Sequence, residues 1–172
     1  VYVDDDQGGR IVQTGPTITG LGGSHVTVKP VGVPHYHVIN EIGGIDFDYD
    51  TTTDQTIVVH LGHDHRLVTT TVQRPIHYVD QHGHQLVPDT VQATVLTGDE
   101  DLVTQVITWL PSELLAEATP VVAGYQTSTT EIATVAVTMP GDLPAVTVVY
   151  QPIPVTTVQP KRPVKQQLVV KH

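Results

Sequence analysis

The sequence predicts a mainly β protein, α+β at most, made of two small tandem domains in an elongated pair, and three observations predict it. Valine and threonine supply 30 and 25 of the 172 residues; both branch at Cβ and suit a pleated strand better than a helix. The phrase Tyr2-Val3-Asp4 followed by a Gly-rich polar turn returns as Tyr78-Val79-Asp80, 76 residues further on. Helix signals are few: only Ser112 to Ala118, after Pro111 and with Ser112 as cap, reads as one short helix.

Taken in order, Tyr2 to Val12 reads as a hairpin, because two apolar strands flank an Asp/Gln/Gly turn of the kind that positive φ requires. Gly15 to Val33 is too rich in Gly and Pro for a long helix. Pro30 and Tyr36 precede a closing strand at Gln55 to Leu61. A boundary falls at about Leu67 to Gln73, around Thr69-Thr70-Thr71, and so short a connector predicts a stiff pair. The second half repeats the order: a hairpin from Tyr78 to Val87, then Pro120 with Tyr125, then a closing strand at Ala145 to Tyr150. The prolines at 152, 154, 160 and 163 lack the ladder donor and predict an extended linker. The division expected is therefore 1–68, 74–151 and a Pro-rich tail at 152–172, whose residues 164–172 begin another repeat or form a disordered end.

Composition narrows the function classes. Half of the eight Lys and Arg residues, Lys161, Arg162, Lys165 and Lys171, lie in the last twelve positions, while all 18 acids precede them. That surface repels phosphate, which argues against nucleic acid as a partner. The absence of Cys removes disulfides, thiolate metal sites and a Cys nucleophile. No apolar run approaches the roughly 20 residues of a membrane span, so no membrane insertion is expected. Val1 in place of an initiator Met reads as an excised fragment of a longer chain. Only Ser24, Ser112 and Ser128 offer a serine hydroxyl and none lies in Gly-x-Ser-x-Gly, so no enzyme is expected.

Two groups of residues invite a binding role. Asp46, Asp48 and Asp50 alternate with Phe47 and Tyr49, which in a strand places three carboxylates on one face. A Ca²⁺ ion would relieve their repulsion, although the run lacks the Gly and distal Glu of a helix-loop-helix calcium loop; a plain solvated acidic surface is the other reading. His60, His63 and His65, and His82 with His84, would offer imidazoles to zinc or simply decorate turns. Histidines on an acidic surface also predict stronger attachment to acidic glycans as pH falls toward 5. Trp109, the sole Trp, is a core residue or a glycan-stacking one.

The phrases Tyr2-Val3-Asp4-Asp5, Asp46-Phe47-Asp48, Asp54 to Leu61, Arg74 to Asp80, Trp109, Gly124-Tyr125 and Val146 to Tyr150 span nearly the whole chain. Together they resemble the mucus-binding (Mub, MucBP) repeats of lactobacilli and related Gram-positive bacteria. The most specific is Asp-Gln-Thr-Ile-Val-Val-His-Leu at 54–61, followed by Ile76-His77-Tyr78-Val79-Asp80. The resemblance implies a β-grasp (ubiquitin-like) subdomain at 1–68 and a mucin-binding β subdomain at 74–151. It also implies an extracellular, cell-wall-anchored parent adhesin with several such repeats, each monomeric within the longer chain. Host mucin glycans are the first expected partner, bound by weak multivalent contacts, and immunoglobulin, held at an exposed β edge, the second. A structural spacer is a further reading. No cofactor is required, and Ca²⁺ is the one metal the residues suggest.

Overall fold

A computed structural model of the chain describes residues 1–163 and 169–171. The described residues contain strands and turns and no helix, so the mainly β expectation holds. Among the described residues, no helix is long and apolar enough to cross a membrane. Of the tail expected at 152–172, residues 164–168 and 172 lie outside the described residues.

The chain forms two compact units. The first takes Val1–Gln73, Ala93–Leu114 and Ala136–Asp142; the second takes Arg74–Gln92, Leu115–Val135 and Leu143–His172. Each unit is thus assembled from three separate stretches of the chain.

In the first unit, β1 (Tyr2–Asp4) turns through Gly8 and Gly9, both at positive φ, into β2 (Arg10–Gln13). The short strands β3 (His25–Thr27) and β5 (Gly44–Asp46) pair with each other and flank β4 (Tyr36–Val38) in sequence. The strand β6 (Val59–His63) closes the set, starting four residues later than the Gln55 expected. The sheet order is β2-β1-β6-β4, with β1 and β6 parallel, Tyr2 opposite Val59 and Asp4 opposite Leu61. Tyr2, Val59 and Leu61 form its buried cluster, and Val12, Val33, Tyr36 and Ile42 pack on them.

The second hairpin is built from β7 (His65–Asp80) and β8 (Gln85–Asp101), joined through Gly83 at positive φ. The Asp80 carboxylate accepts the amides of His82 and His84 at 2.8 and 2.9 Å, which fixes the turn; these bonds, the His84 amide foremost, hold its carboxyl below the usual range. Along β7 the buried positions Val72, Arg74, Ile76 and Tyr78 alternate, as one face of a strand must. The strands β9 (Ile107–Trp109) and β10 (Ser112–Leu114) follow. Next come β11 (Glu117–Ala118), β12 (Tyr125–Gln126), β13 (Glu131–Ile132), β14 (Val135–Val137) and β15 (Val146–Pro152).

The second unit repeats the wiring of the first. β15 lies parallel to β7, Val146 opposite Ile76 and Tyr150 opposite Asp80, as β6 lies against β1. β12 pairs antiparallel with β15 as β4 does with β6, and β11 pairs with β13 as β3 does with β5. Details match as well: the amides of Tyr36 and Tyr125 donate to Val33 and Val122, and residues 35 and 124 both have positive φ. That conformation is ordinary for Gly124 and strained for His35. The common order of features in the two halves is therefore a common topology. Its second core is Ile76, Tyr78, Ile132, Val148 and Tyr150. Tyr150 donates to the Pro120 carbonyl at 2.7 Å, and Tyr78 shares a hydrogen bond with Thr90 at 3.0 Å, so both buried rings have their hydroxyls satisfied.

The helix expected at Ser112–Ala118 is not formed. Ser112–Leu114 is β10, which pairs with β14, and Glu117–Ala118 is β11, which pairs with β13. Leu114 is 2 % exposed; burying it against a partner strand outweighs a local helix preference of a few tenths of a kcal/mol per residue.

Candidate functional site

Three places in the fold gather functional groups: the acidic loop after β5, the histidines, and a buried cluster around β1 and β6. In the first, β5 ends at Asp46, so the Asp/aromatic alternation does not continue as a strand. Asp46 faces His25, with Oδ1 2.7 Å from Nδ1. Asp48 Oδ1 accepts the amide of Asp50 at 3.1 Å, and the Asp50 carboxylate accepts the amide and hydroxyl of Thr52 and the hydroxyl of Thr53. The Thr52 and Thr53 hydroxyls, with backbone amides behind them, hold the Asp50 carboxyl down at about 2. Gln55 ties the loop shut, accepting the Asp48 amide at 3.1 Å and donating to the Asp46 carbonyl at 3.2 Å.

Asp46, Asp48 and Asp50 thus each serve a separate neighbour. Each carboxylate is already stabilised by a neighbouring donor, and the expected result is that millimolar calcium leaves the melting temperature unchanged to within about 1 °C, since a ligand stabilises only through net binding to the folded state. A rise of several degrees in a thermal melt would place a calcium site there, and no rise would make the loop a plain acidic surface.

The histidines pair with aspartates. His25, His37, His60, His65, His77 and His84 each place Nδ1 within 3.1 Å of a carboxylate, on Asp46, Asp64, Asp5, Asp99, Asp89 and Asp80 respectively. His60, His63 and His65, grouped by sequence, turn to different acids. His82 and His84 stand with ring centroids 6.2 Å apart at the hairpin tip. Among the described residues, the group whose ligand atoms converge is Asp4, Asp6 and His63, within 4.8 Å of one another.

That group is a hydrogen-bonded cluster in the first unit. His63 stands at the end of β6 with its side chain 3 % exposed. Its Nδ1 lies 2.6 Å from Asp101 at the end of β8, and its Nε2 3.1 Å from the fully buried carboxylate of Asp4 on β1. Tyr36 donates to Asp4 at 3.1 Å and sets its ring edge-on to His63; the amide of Gln7 also donates to Asp4, and Arg10 lies 3.8 Å away. The His63 amide donates to Asp6 at 2.7 Å.

Two carboxylates, one at each ring nitrogen, favour the imidazolium form of His63. Burial pushes His63 down, but its bonds to Asp101 and Asp4 and their charges raise it above the ordinary 6.5. Burial pushes Asp4 and Asp101 up. Hydrogen bonds to His63, aided by Tyr36 and by backbone amides, outweigh that and hold both below 3.8. The position matching His63 in the second unit is Pro152, opposite Tyr125 as His63 is opposite Tyr36, so the cluster is not duplicated. The sequence could not assign it, because its members lie 38 and 59 residues apart. The one hint was the excess of histidines and acids over Lys and Arg.

Trp109 is half-buried on β9 and lies over Gly98, its partner in β8, where a Cβ would come within 2.8 Å of the indole. That is a packing role, the bare backbone of Gly98 making space for the ring.

Residues 63–154, from the end of β6 to just past β15, match the family described as Muc B2-like domain, more than half of the 172 residues. The chain belongs to this Muc B2-like family. The family resemblance seen in the sequence is thereby confirmed. Among solved structures, the Muc B2-like chain is similar to the protein Mub-RV at 23 % identity, covering 89 % of this chain and 96 % of that one with a TM-score of 0.48. It is similar to the type 2 repeat of the mucus binding protein MUB from Lactobacillus reuteri at 20 % identity, over 88 % and 96 % of the two chains, with a TM-score of 0.43. It is also similar to a mucin-binding domain from Streptococcus pneumoniae at 23 % identity, over 53 % and 98 %, with a TM-score of 0.45. No curated protein matches the chain. With TM-scores below 0.5, these structures add no weight to the family match.

Proposed function

We propose that this Muc B2-like chain is a non-enzymatic adhesion repeat of a bacterial surface protein, which holds host mucin glycoproteins through weak contacts multiplied along a repeat array. The observation that carries it is the family match over residues 63–154. The acidic, Thr-rich strands suit shallow hydrogen bonding to sugar hydroxyls, and avidity from linked copies converts weak sites into firm attachment. Extracellular display of the parent chain, anchored to the cell wall, is part of the same proposal. A β-grasp assignment for residues 1–68 is supported by the order β2-β1-β6-β4 around a parallel central pair, with the β3–β5 pair in place of a helix.

Binding of the fragment to immobilised mucin, before and after enzymatic deglycosylation, tests the proposal. Attachment is expected to disappear with the glycans, and two linked copies are expected to bind at least about 100-fold more tightly than one. Retention on deglycosylated mucin would make the partner a protein surface, and no attachment at all would make the repeat a spacer.

A further inference from the structure

We propose that Tyr49 is a stacking platform for a neutral saccharide, at the mouth of a groove in the first unit between the Gly20–Ser24 turn and the Asp46–Gln55 loop. The inference deepens the adhesion reading and rests on it for the source of the sugar. The groove encloses about 720 Å³, inside the range of roughly 300 to 1,000 Å³ typical of small-molecule sites. Its walls mix apolar side chains such as Ile18 and Phe47 with the hydroxyls of Thr17 and Thr53.

The glycines show how the platform is made. A Cβ on Gly20 would fall 2.3 Å from the Phe47 ring, and one on Gly22 or Gly23 would fall 2.5 or 2.4 Å from Tyr49. Both aromatic side chains therefore lie over bare glycine backbone, where an added Cβ would require the ring to shift. Two backbone bonds lock that contact: the Gly23 amide donates to the Phe47 carbonyl at 2.7 Å, and the Phe47 amide donates to Ser24 at 2.9 Å. From the other side, Gln55 bridges Asp46 and Asp48, and Asp50 is bound by Thr52 and Thr53. Phe47 is half-buried under this arrangement, yet Tyr49 stays 82 % exposed. The tied loop fixes the backbone that carries Tyr49, which lowers part of the ordering cost that binding would otherwise incur, while the ring stays open to water. What it offers is a flat apolar face with a hydroxyl at the rim, which matches the C–H face of a sugar ring.

Charge selects among sugars. Asp48 and Asp50 flank Tyr49 directly, and Asp54 lines the same groove. The cations along it are Lys29 and the amino group of Val1, and the latter is engaged with the Ile57 carbonyl at 2.7 Å. Carboxylates accept hydrogen bonds from hexose hydroxyls but repel a sugar that carries its own carboxylate or sulfate. The class of ligand is thus a neutral hexose or N-acetylhexosamine unit, not a sialylated or sulfated one. Tyr49 lies outside the family-matched residues 63–154, so the family match does not assign this site.

The test is a titration of the whole ¹⁵N-labelled chain with N-acetyllactosamine, and separately with its sialylated counterpart, followed by amide chemical shifts. Shifts are expected in residues 20–24 and 46–55 with N-acetyllactosamine. Affinity is expected to fall at least about tenfold in Tyr49→Ala and to stay within about threefold in Tyr49→Phe, which keeps the stacking face. The sialylated sugar is expected to bind several-fold more weakly, and Asp48→Asn to narrow that gap. Because Tyr49 is exposed, the melting temperature of Tyr49→Ala should match the parent, so loss of folding does not mimic loss of the site. Shifts elsewhere, unchanged affinity in Tyr49→Ala, or equal binding of the sialylated sugar would overturn the proposal. Adhesion to mucin is measured in parallel: adhesion without these shifts removes the Tyr49 site and leaves the adhesion reading standing, whereas shifts without adhesion do the reverse.

Discussion

Replacing His63 with leucine is expected to destabilise the protein by about 3 to 5 kcal/mol, the range for removing one partner of a buried ion pair. The magnitude follows from what is left behind. Asp4 is fully buried, and without the imidazolium its charge faces only the Tyr36 hydroxyl, the Gln7 amide and a distant Arg10. Asp101 loses its side-chain partner at the same time. Urea unfolding of the variant beside the parent measures the loss, and the double variant His63→Leu with Asp4→Asn separates the stranded charge from the lost contact. If the double variant recovers most of the stability, the cost came from the uncompensated carboxylate. A single-variant loss below about 1 kcal/mol would mean that the cluster contributes little.

The second large effect is on pH. His63 is raised in the folded chain, so its stabilisation is fully present below the ordinary 6.5 and is lost as pH rises through the raised value. Asp4 and Asp101 are lowered, so theirs is present above the ordinary 3.8 and is lost as pH falls through the lowered values. The cluster therefore contributes most between pH 3.8 and 6.5. The melting temperature is expected to be highest on the acid side of neutrality and to decline from pH 6 to pH 9. Thermal melts across this range check the sign, and His63→Leu should flatten most of the slope. A melting temperature that climbs from pH 6 to pH 9 would contradict the imidazolium assignment.

Much of the architecture was legible because it is written locally. Tyr2 to Val12 and Tyr78 to Val87 each carry alternating apolar residues around an Asp/Gly turn, and both became hairpins with glycines at positive φ. Val146 to Tyr150 became a strand for the same reason. Tyr36 and Tyr125, matched only because each follows a proline, begin equivalent strands. The failures came where local preference met a distant partner. Glu113, Leu114 and Ala116 favour a helix in isolation, but β13 and β14 offered backbone partners that the local sequence does not announce. The aspartates at 46, 48 and 50 looked like one charged face, and the end of β5 at Asp46 sent each to its own neighbour.

The sequence by itself determined a β protein of two similarly wired halves, because β-branched residues, strand alternation and turn glycines act over a few residues. It also carried the membership in the Muc B2-like family. Only the tertiary structure decided which aspartate each histidine meets, where β7 and β8 end, and that the glycines at 20, 22 and 23 back Phe47 and Tyr49. Those outcomes depend on strand register, a single choice that brings Asp4, His63 and Asp101 within hydrogen-bonding reach and that no short stretch of sequence contains.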